Sequence, residues 1–363
     1  MQRTPGGTGG GGAAAVASGA SAIELGGDSF GSVRQPAAFC GITAIKPTSG
    51  VIPKLGVHIT SGAKCLGAWN SEGLMARHVE DLALGLSILV RYDPRAIGSR
   101  YHPGIKDYRE VDLSNWRVAV YTQGDPKAGK TDTRISNVIE KGAERLAKEV
   151  KSIERATPPG IENVADILIN LVAANNLVVR RKAAQEANGQ KLHPIRREVT
   201  RIHEEWVEQR DLDNPDMRIK AIGDLLKFQK EIYTWMDEGR YDILLSPASS
   251  QMPRIDNESL DLDVNYLSDA AFPGLCNACE FPGGTVRGGW AELSDNIQLP
   301  VGLHIAAPRF KEENVLAALS FFEKEFGGFV PPPSQNFGTF AGQYGDQAAK
   351  YANASSRGQR RNQ

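Results

Sequence analysis

The 363-residue chain has little of what would tie it to a membrane, to nucleic acid or to an oxidising compartment. Its four cysteines, Cys40, Cys65, Cys276 and Cys279, are too few to staple a chain of this length, so a reducing, cytoplasmic setting is expected. The longest clearly apolar stretch, Leu82 to Val90, has nine residues, whereas a bilayer span needs about 20. No strong membrane signal is therefore read, and glycines stand after Met1 where a secretory signal would have its apolar core. With 42 basic against 43 acidic residues the formal net charge is −1, and no global field favours nucleic acid as a partner. The six histidines form no H-E-x-x-H pattern, and Cys276-Asn277-Ala278-Cys279 lacks a second ligand pair at zinc spacing, so no metal is expected. The run Gly7 to Gly12 satisfies a bare G-x-G-x-x-G, but no strand can precede it through Pro5 and no Gly-Lys-Ser/Thr follows. A nucleotide binder is disfavoured on those grounds, and no cofactor is expected. No G-x-S-x-G elbow surrounds any serine of interest, which argues against the α/β-hydrolase arrangement.

What the chain does have is a pair of hydroxyls set in glycine-rich sequence. Thr8 lies in Pro5-Gly6-Gly7-Thr8-Gly9-Gly10-Gly11-Gly12, and Ser32 follows Gly26-Gly27-Asp28-Ser29-Phe30-Gly31. Small residues ahead of Ser32 allow several backbone N–H groups to turn inward together, the array that stabilises the oxyanion formed when a hydroxyl attacks an amide or ester carbonyl. Ser32 is accordingly the candidate nucleophile.

These residues carry a resemblance. Arg3 to Thr8 with Ala13 to Ala17, Gly31-Ser32-Val33-Arg34-Gln35-Pro36-Ala37-Ala38-Phe39-Cys40-Gly41 and Lys46-Pro47-Thr48-Ser49-Gly50 together resemble the signature of the amidase signature family. Gly73-Leu74-Met75-Ala76-Arg77 with Val79, Asp81 and Leu82 is similar to that family's Gly-Pro-Met-Ala-Arg-x-Val-x-Asp-Leu segment, and Leu299-Pro300-Val301-Gly302-Leu303-His304 to its closing Leu-Pro-x-Gly-Leu-Gln. The resemblance implies an amidohydrolase acting on a small-molecule amide through an acyl-enzyme. In the family a Ser-Ser-Lys triad does this, one serine on a cis peptide bond relaying the nucleophile's proton to lysine. Carried over, Ser32 takes the nucleophile's place and Thr8, 24 positions earlier, that of the cis serine. Ser29, Phe30 and Gly31, with Ser32 itself, become the backbone oxyanion donors, with Phe30 in a glycine's place where a Cβ penalises positive φ. Asp28 and Arg34 become structural charge partners around the loop. No residue matches the triad lysine: Lys46 and Lys64 lie downstream, and the resemblance gives Lys46 no triad role. The chain is therefore expected to be an N-terminally truncated amidase, the alternative being an inactive scaffold or interaction protein on the same fold. Lys46 to Pro53 with Gly56 resembles fatty-acid-amide-hydrolase-like members somewhat more than the glutaminyl-tRNA amidotransferase subunit.

Periodicity predicts mixed α/β structure, and the resemblance an α/β/α sandwich around a mixed β-sheet. Helical spacing covers Val79 to Leu89, Ile135 to Val150, Glu162 to Asn188, Arg218 to Asp237 and Val315 to Phe326, with short strands at Trp116 to Thr122 and Tyr241 to Ser246. The charged stretch Arg196 to Asp216 reads as a solvated helical face. One domain is expected over 1–330, followed by a Pro-rich and polar, weakly ordered tail over 331–363. Oligomeric state is left open.

Overall fold

The computed structural model describes residues 3–55, 70–96, 98–174, 194–255, 271–293 and 297–331. Contacts divide the chain into two units, Met1–Phe329 and Val330–Gln363, and nearly all of the described residues belong to the first. The predicted weakly ordered tail, the segment from 175 to 188 of a predicted helix, Lys64 and Cys65 lie outside the described residues.

Among the described residues an eight-stranded sheet organises the first unit. Its strands are β1 (Ile23–Asp28), β2 (Thr43–Lys46), β3 (Ser71–Ala76), β4 (Arg117–Val120), β5 (Ser152–Arg155), β6 (Ile243–Pro247), β7 (Gly283–Glu292) and β8 (Gln298–Ala306), in the spatial order β1-β3-β2-β7-β8-β6-β4-β5. The pairs from β1 through to β6 are antiparallel, while β6–β4 and β4–β5 are parallel, so the sheet is mixed as predicted. β1 forms one edge, with Ile23 and Leu25 exposed.

Alternation along the strands feeds two different helical layers. On one face Ile45, Leu74, Val118, Val286 and Leu303 pack with α3 (Val79–Leu89), α4 (Thr133–Leu146) and α9 (Glu312–Glu325) in a continuous apolar core. On the other, Ala44 and Met75 meet α1 (Gly10–Ala17) and α2 (Arg34–Cys40). Ala119, Leu244 and Ala306 meet α5 (Val164–Ala174), α7 (Pro215–Gly239) and α8 (Ala271–Ala278) on that same face. The result is the predicted α/β/α sandwich. Helix α6 (Pro194–Gln209) spans the charged stretch, and its inner side is not solvated: Ile202 and Trp206 are buried with Ile169 and Leu212. The predicted helical periods of α3, α4, α7 and α9 recur within a few residues, with Asp132 and Asn214 supplying side-chain N-caps for α4 and α7.

Candidate active site

The β1–α2 connection carries Ser32 in front of the second face. Asp28, the last residue of β1, sends its carboxylate forward into the loop, where it accepts from Gly31 N–H at 2.8 Å and Val33 N–H at 3.2 Å. Those two bonds fold the five residues from Asp28 to Ser32 back on themselves. Gly31 sits at φ +97°, and a Cβ there would lie 2.5 Å from Pro273 Cγ, so only glycine fits. Phe30 is not at positive φ, so the penalty expected for it is not incurred; its ring instead packs between the α5/α7/α8 core and the small cluster around Trp206.

The same geometry sorts the backbone donors. Gly31 N–H, one of the predicted oxyanion donors, is already taken by Asp28. Among the described residues the N–H groups of Ser29, Phe30 and Ser32 have no partner, which leaves these three available to a ligand. Gly9 N–H donates to the Ser32 carbonyl at 2.9 Å, and a Cβ on Gly9 would lie 2.5 Å from that oxygen. That contact brings the glycine-rich run against the loop. The Gly7–Thr8 peptide bond is cis, Thr8 is exposed and Ser32 is half-buried. Among the described residues neither hydroxyl is hydrogen-bonded to a side chain that could take its proton.

Beneath the loop lies a fully buried charge network. Arg34 donates from Nε and Nη2 to the two Asp28 oxygens at 3.0 and 2.8 Å, a bidentate pair with both side chains 0% exposed. Burial alone would raise the Asp28 pKa, but Arg34, Lys46 and the Gly31 N–H outweigh it and hold the carboxyl at about 2. Arg34 Nη1 also donates to Pro273 O and to His304 Nε2, both at 2.8 Å, and Nη2 to Asn277 Oδ1 at 2.7 Å. Asn277 Nδ2 donates in turn to the Asp28 carbonyl at 2.8 Å. Because His304 Nε2 accepts from a guanidinium, its proton is assigned to Nδ1, which donates to Ser246 Oγ at 3.1 Å. Burial foremost, then the Arg34 charge, push the imidazole well below its usual range and keep it neutral.

Asp28 and Arg34 therefore sit together, in the geometry of charge partners that fix the loop. Sequence reasoning did not foresee Pro273, Asn277 or His304. The available signals were a polar residue in the apolar run Ala271 to Ala278 and a histidine at the place of the family's glutamine. Cys276 and Cys279 are both buried and unpaired, and burial raises both thiol pKa values. Among the described residues no group of three or more metal-ligating side chains converges, and no helix is long and apolar enough to cross a membrane.

The Ser32 loop, pinned by a buried Asp–Arg pair and touched by the glycine-rich run through Gly9, on a mixed α/β/α sheet, joins the fold to the signature elements read from the sequence. The family model described as Amidase matches residues 1–316. The chain belongs to the Amidase family. Membership makes it an enzyme of the amide C–N hydrolase class. A glutamyl-tRNA(Gln) amidotransferase subunit of Chlorobium luteolum is 26% identical over 354 residues, covering 92% of this chain and 70% of that protein. The protein of the same name from Deinococcus radiodurans is 29% identical over 338 residues, covering 89% and 68%. Among solved structures, 6-aminohexanoate cyclic dimer hydrolase superposes with a TM-score of 0.72 at 22% identity, over 90% of this chain and 69% of that one. The corresponding amidotransferase subunit of Thermotoga maritima gives 0.72 at 24%, over 92% and 70%. At these identities the structural neighbours speak to the fold of this amidase. The two sequence relatives are amidotransferase subunits, so the similarity of Lys46 to Pro53 to fatty-acid-amide-hydrolase-like members gains no support from them.

Proposed function

We propose that this amidase cleaves a carboxylic amide through an acyl-enzyme on Ser32, with Thr8 in the relay position. The observation that carries the proposal is the loop itself: Asp28 consumes the Gly31 and Val33 amides and leaves those of Ser29, Phe30 and Ser32 unpartnered beside the Ser32 side chain. Open backbone donors of this kind are what stabilise a developing oxyanion, and loss of one such donor costs a factor of about 10² to 10³ in rate. Ser32 Oγ attacks the carbonyl carbon, its proton passes to Thr8 Oγ1, and the Thr8 proton is delivered to the departing nitrogen. The tetrahedral intermediate collapses, the C–N bond breaks and the amine or ammonia leaves with a proton. Water then attacks the acyl ester, releasing the carboxylic acid and restoring the serine hydroxyl. Asp28 and Arg34 hold the loop in the geometry that makes these steps productive. The substrate is a small-molecule amide, and a partner protein is proposed by analogy with the relatives whose names describe amidotransferase subunits.

A second reading, a catalytically silent scaffold on the same fold, is favoured by one observation: Thr8 is exposed and neither hydroxyl meets a base among the described residues. One experiment separates the two. The full chain is treated with a fluorophosphonate serine probe and digested for mass spectrometry, with Ser32→Ala as the control. Labelling at Ser32 that is absent from the control is expected; an unlabelled but folded protein would establish the scaffold reading instead.

A further inference from the structure

Lys46 is a fully buried cation to which the chemistry above assigns no role. It ends β2 directly opposite Gly283 of β7, and residues paired in this way point to the same side of the sheet. That side is defined by what a Cβ on Gly283 would meet, Cys276 Sγ at 2.5 Å and Arg34 Nη1 at 3.2 Å. Ala44, two residues earlier in β2, packs with Ala13, Val33 and Ala37 on this same face, the face that carries α2 and the Ser32 loop. Among the described residues the Lys46 ammonium makes one hydrogen bond, from Nζ to Pro47 O at 2.8 Å. A buried ammonium with three donors and one partner is an expensive feature to keep for structural reasons alone.

We propose that Lys46 is a positioning residue for acyl transfer: together with Arg34 it sets two cations against the single carboxylate of Asp28 beneath the loop, and the surplus positive charge favours the negative charge that develops at Ser32. This rests on the amidase reading above. The charged and titratable groups around Lys46 are Arg34 on α2, Asp28 on β1, Cys276 on α8, His304 on β8 and Glu312 on α9. Glu312 is already engaged, accepting from Thr48 N–H at 2.7 Å and pairing with His102 Nε2 at 2.9 Å, while His304 is neutral. Burial foremost and then Arg34 lower the Lys46 pKa to about 8, with Cys276, Asp28 and Glu312 opposing. Lys46 is thus charged at neutral pH and loses its charge a little above it. The consequence has an unusual sign: Ser32 becomes less reactive as pH rises through about 8, whereas deprotonation of a serine–base system alone would make it more so.

The test is the rate of fluorophosphonate labelling of Ser32 in the full chain between pH 6 and 10, for wild type, Lys46→Arg and Lys46→Met, each checked for folding by circular dichroism. Wild type is expected to show an alkaline decline near pH 8. Lys46→Arg, whose charge does not titrate in this range, should keep the neutral-pH rate and lose the decline. Lys46→Met should be slower by about tenfold at pH 7, less than the loss of a directly contacting oxyanion donor, with no alkaline decline. A labelled wild type whose rate does not fall above pH 8, or a methionine variant labelled at the wild-type rate, overturns this proposal and leaves the amidase reading standing. A folded wild type that never labels overturns both. The wild-type profile decides the matter even where a variant fails to fold.

Discussion

Replacing Lys46 by methionine should make the folded state more stable at pH 7, even though it removes a residue proposed to serve the reaction. The side chain is fully buried, and its pKa falls from 10.5 in the unconstrained residue to about 8 in the fold. At 1.36 kcal/mol for each pH unit, a fall from 10.5 to about 8 corresponds to about 3 kcal/mol by which the charged form is held back from folding. Methionine fills a similar volume without a charge, and exchange of a buried ion for an apolar side chain is often neutral or stabilising. The substitution also leaves Asp28 with its Arg34 partner, so no carboxylate is orphaned. Because the folded pKa is depressed, the unfolded chain binds the extra proton between pH 8 and 10.5. Wild-type stability should therefore gain on the variant as pH rises across that window, and the variant's advantage should be full below pH 8 and vanish above 10.5. Tyr121 and Tyr233, whose pKa values burial raises, also titrate at high pH, but they contribute equally to both proteins and cancel in the difference. Urea unfolding at pH 7, 9 and 10.5 measures it. A methionine variant less stable than wild type at pH 7, or a gap that does not narrow with pH, would refute the reasoning.

Asp28→Asn should cost about 3 to 5 kcal/mol in urea unfolding, because it leaves Arg34 as an uncompensated buried charge, and should abolish Ser32 labelling; a loss below 1 kcal/mol would mean that the pair does not carry the loop. Gly31→Ala forces a Cβ to 2.5 Å from Pro273 Cγ at a φ of +97°, so labelling should vanish with a stability loss of about 1 to 3 kcal/mol, and a labelled alanine variant would show that the loop has another way to fold. Thr8→Val keeps the shape and removes the exposed hydroxyl: melting temperature should be unchanged and labelling of Ser32 slower by about 10²-fold, with Thr8→Ser restoring it. Equal rates for the valine and serine variants would remove Thr8 from the relay.

The parallel half of the sheet was legible because its helices carry strong apolar periods. Ile135, Val138, Ile139 and Leu146 on α4 are spaced for one buried face, and Ile243 to Leu245 form a short apolar run of the kind that lies in a sheet interior. The long β7–β8 hairpin was not read as strands. Gly283, Gly284, Gly288 and Gly289 give β7 a composition depleted for strands, yet Cβ atoms at the first three would come within 2.5 Å of Cys276 Sγ, 2.7 Å of Leu319 Cδ1 and 2.3 Å of Leu303 Cγ. Close approach by side chains from both layers, which no local pattern encodes, dictates those glycines. The site divides in the same way. Thr8, Ser32, Asp28 and Arg34 lie within 27 residues and could be found from spacing, whereas Asn277 and His304 reach Arg34 across separations of 243 and 270 positions. The bond from Gly31 N–H to Asp28 was missed for a local reason: the carboxylate three residues earlier was counted as a partner for Arg34 and not for the loop's own amides.

The two faces of the sheet make different demands on the sequence, and mutational sensitivity should follow them. The face packed by α3, α4 and α9 is apolar from Ile45 through Leu303 to Phe322, and truncations there are cavity effects that should lower stability with no selective effect on Ser32. The opposite face carries a polar row across the strands, from Asp28 on β1 and Lys46 on β2 to His304 on β8 and Ser246 on β6. Each member is buried, and each is charged or holds a hydrogen bond that a water-filled site would not preserve. A row of this kind is a poor way to stabilise a sheet, because every polar group in it must be matched or it destabilises. It is an effective way to hold a short loop rigid, since bidentate and charge-assisted bonds fix direction as well as distance. In the loop from Asp28 to Ser32 the amides of Ser29, Phe30 and Ser32 stay open while Gly31 and Val33 are held from below. Rigidity at Ser32 is thus derived from residues as distant in sequence as His304, which bonds Arg34 across 270 positions.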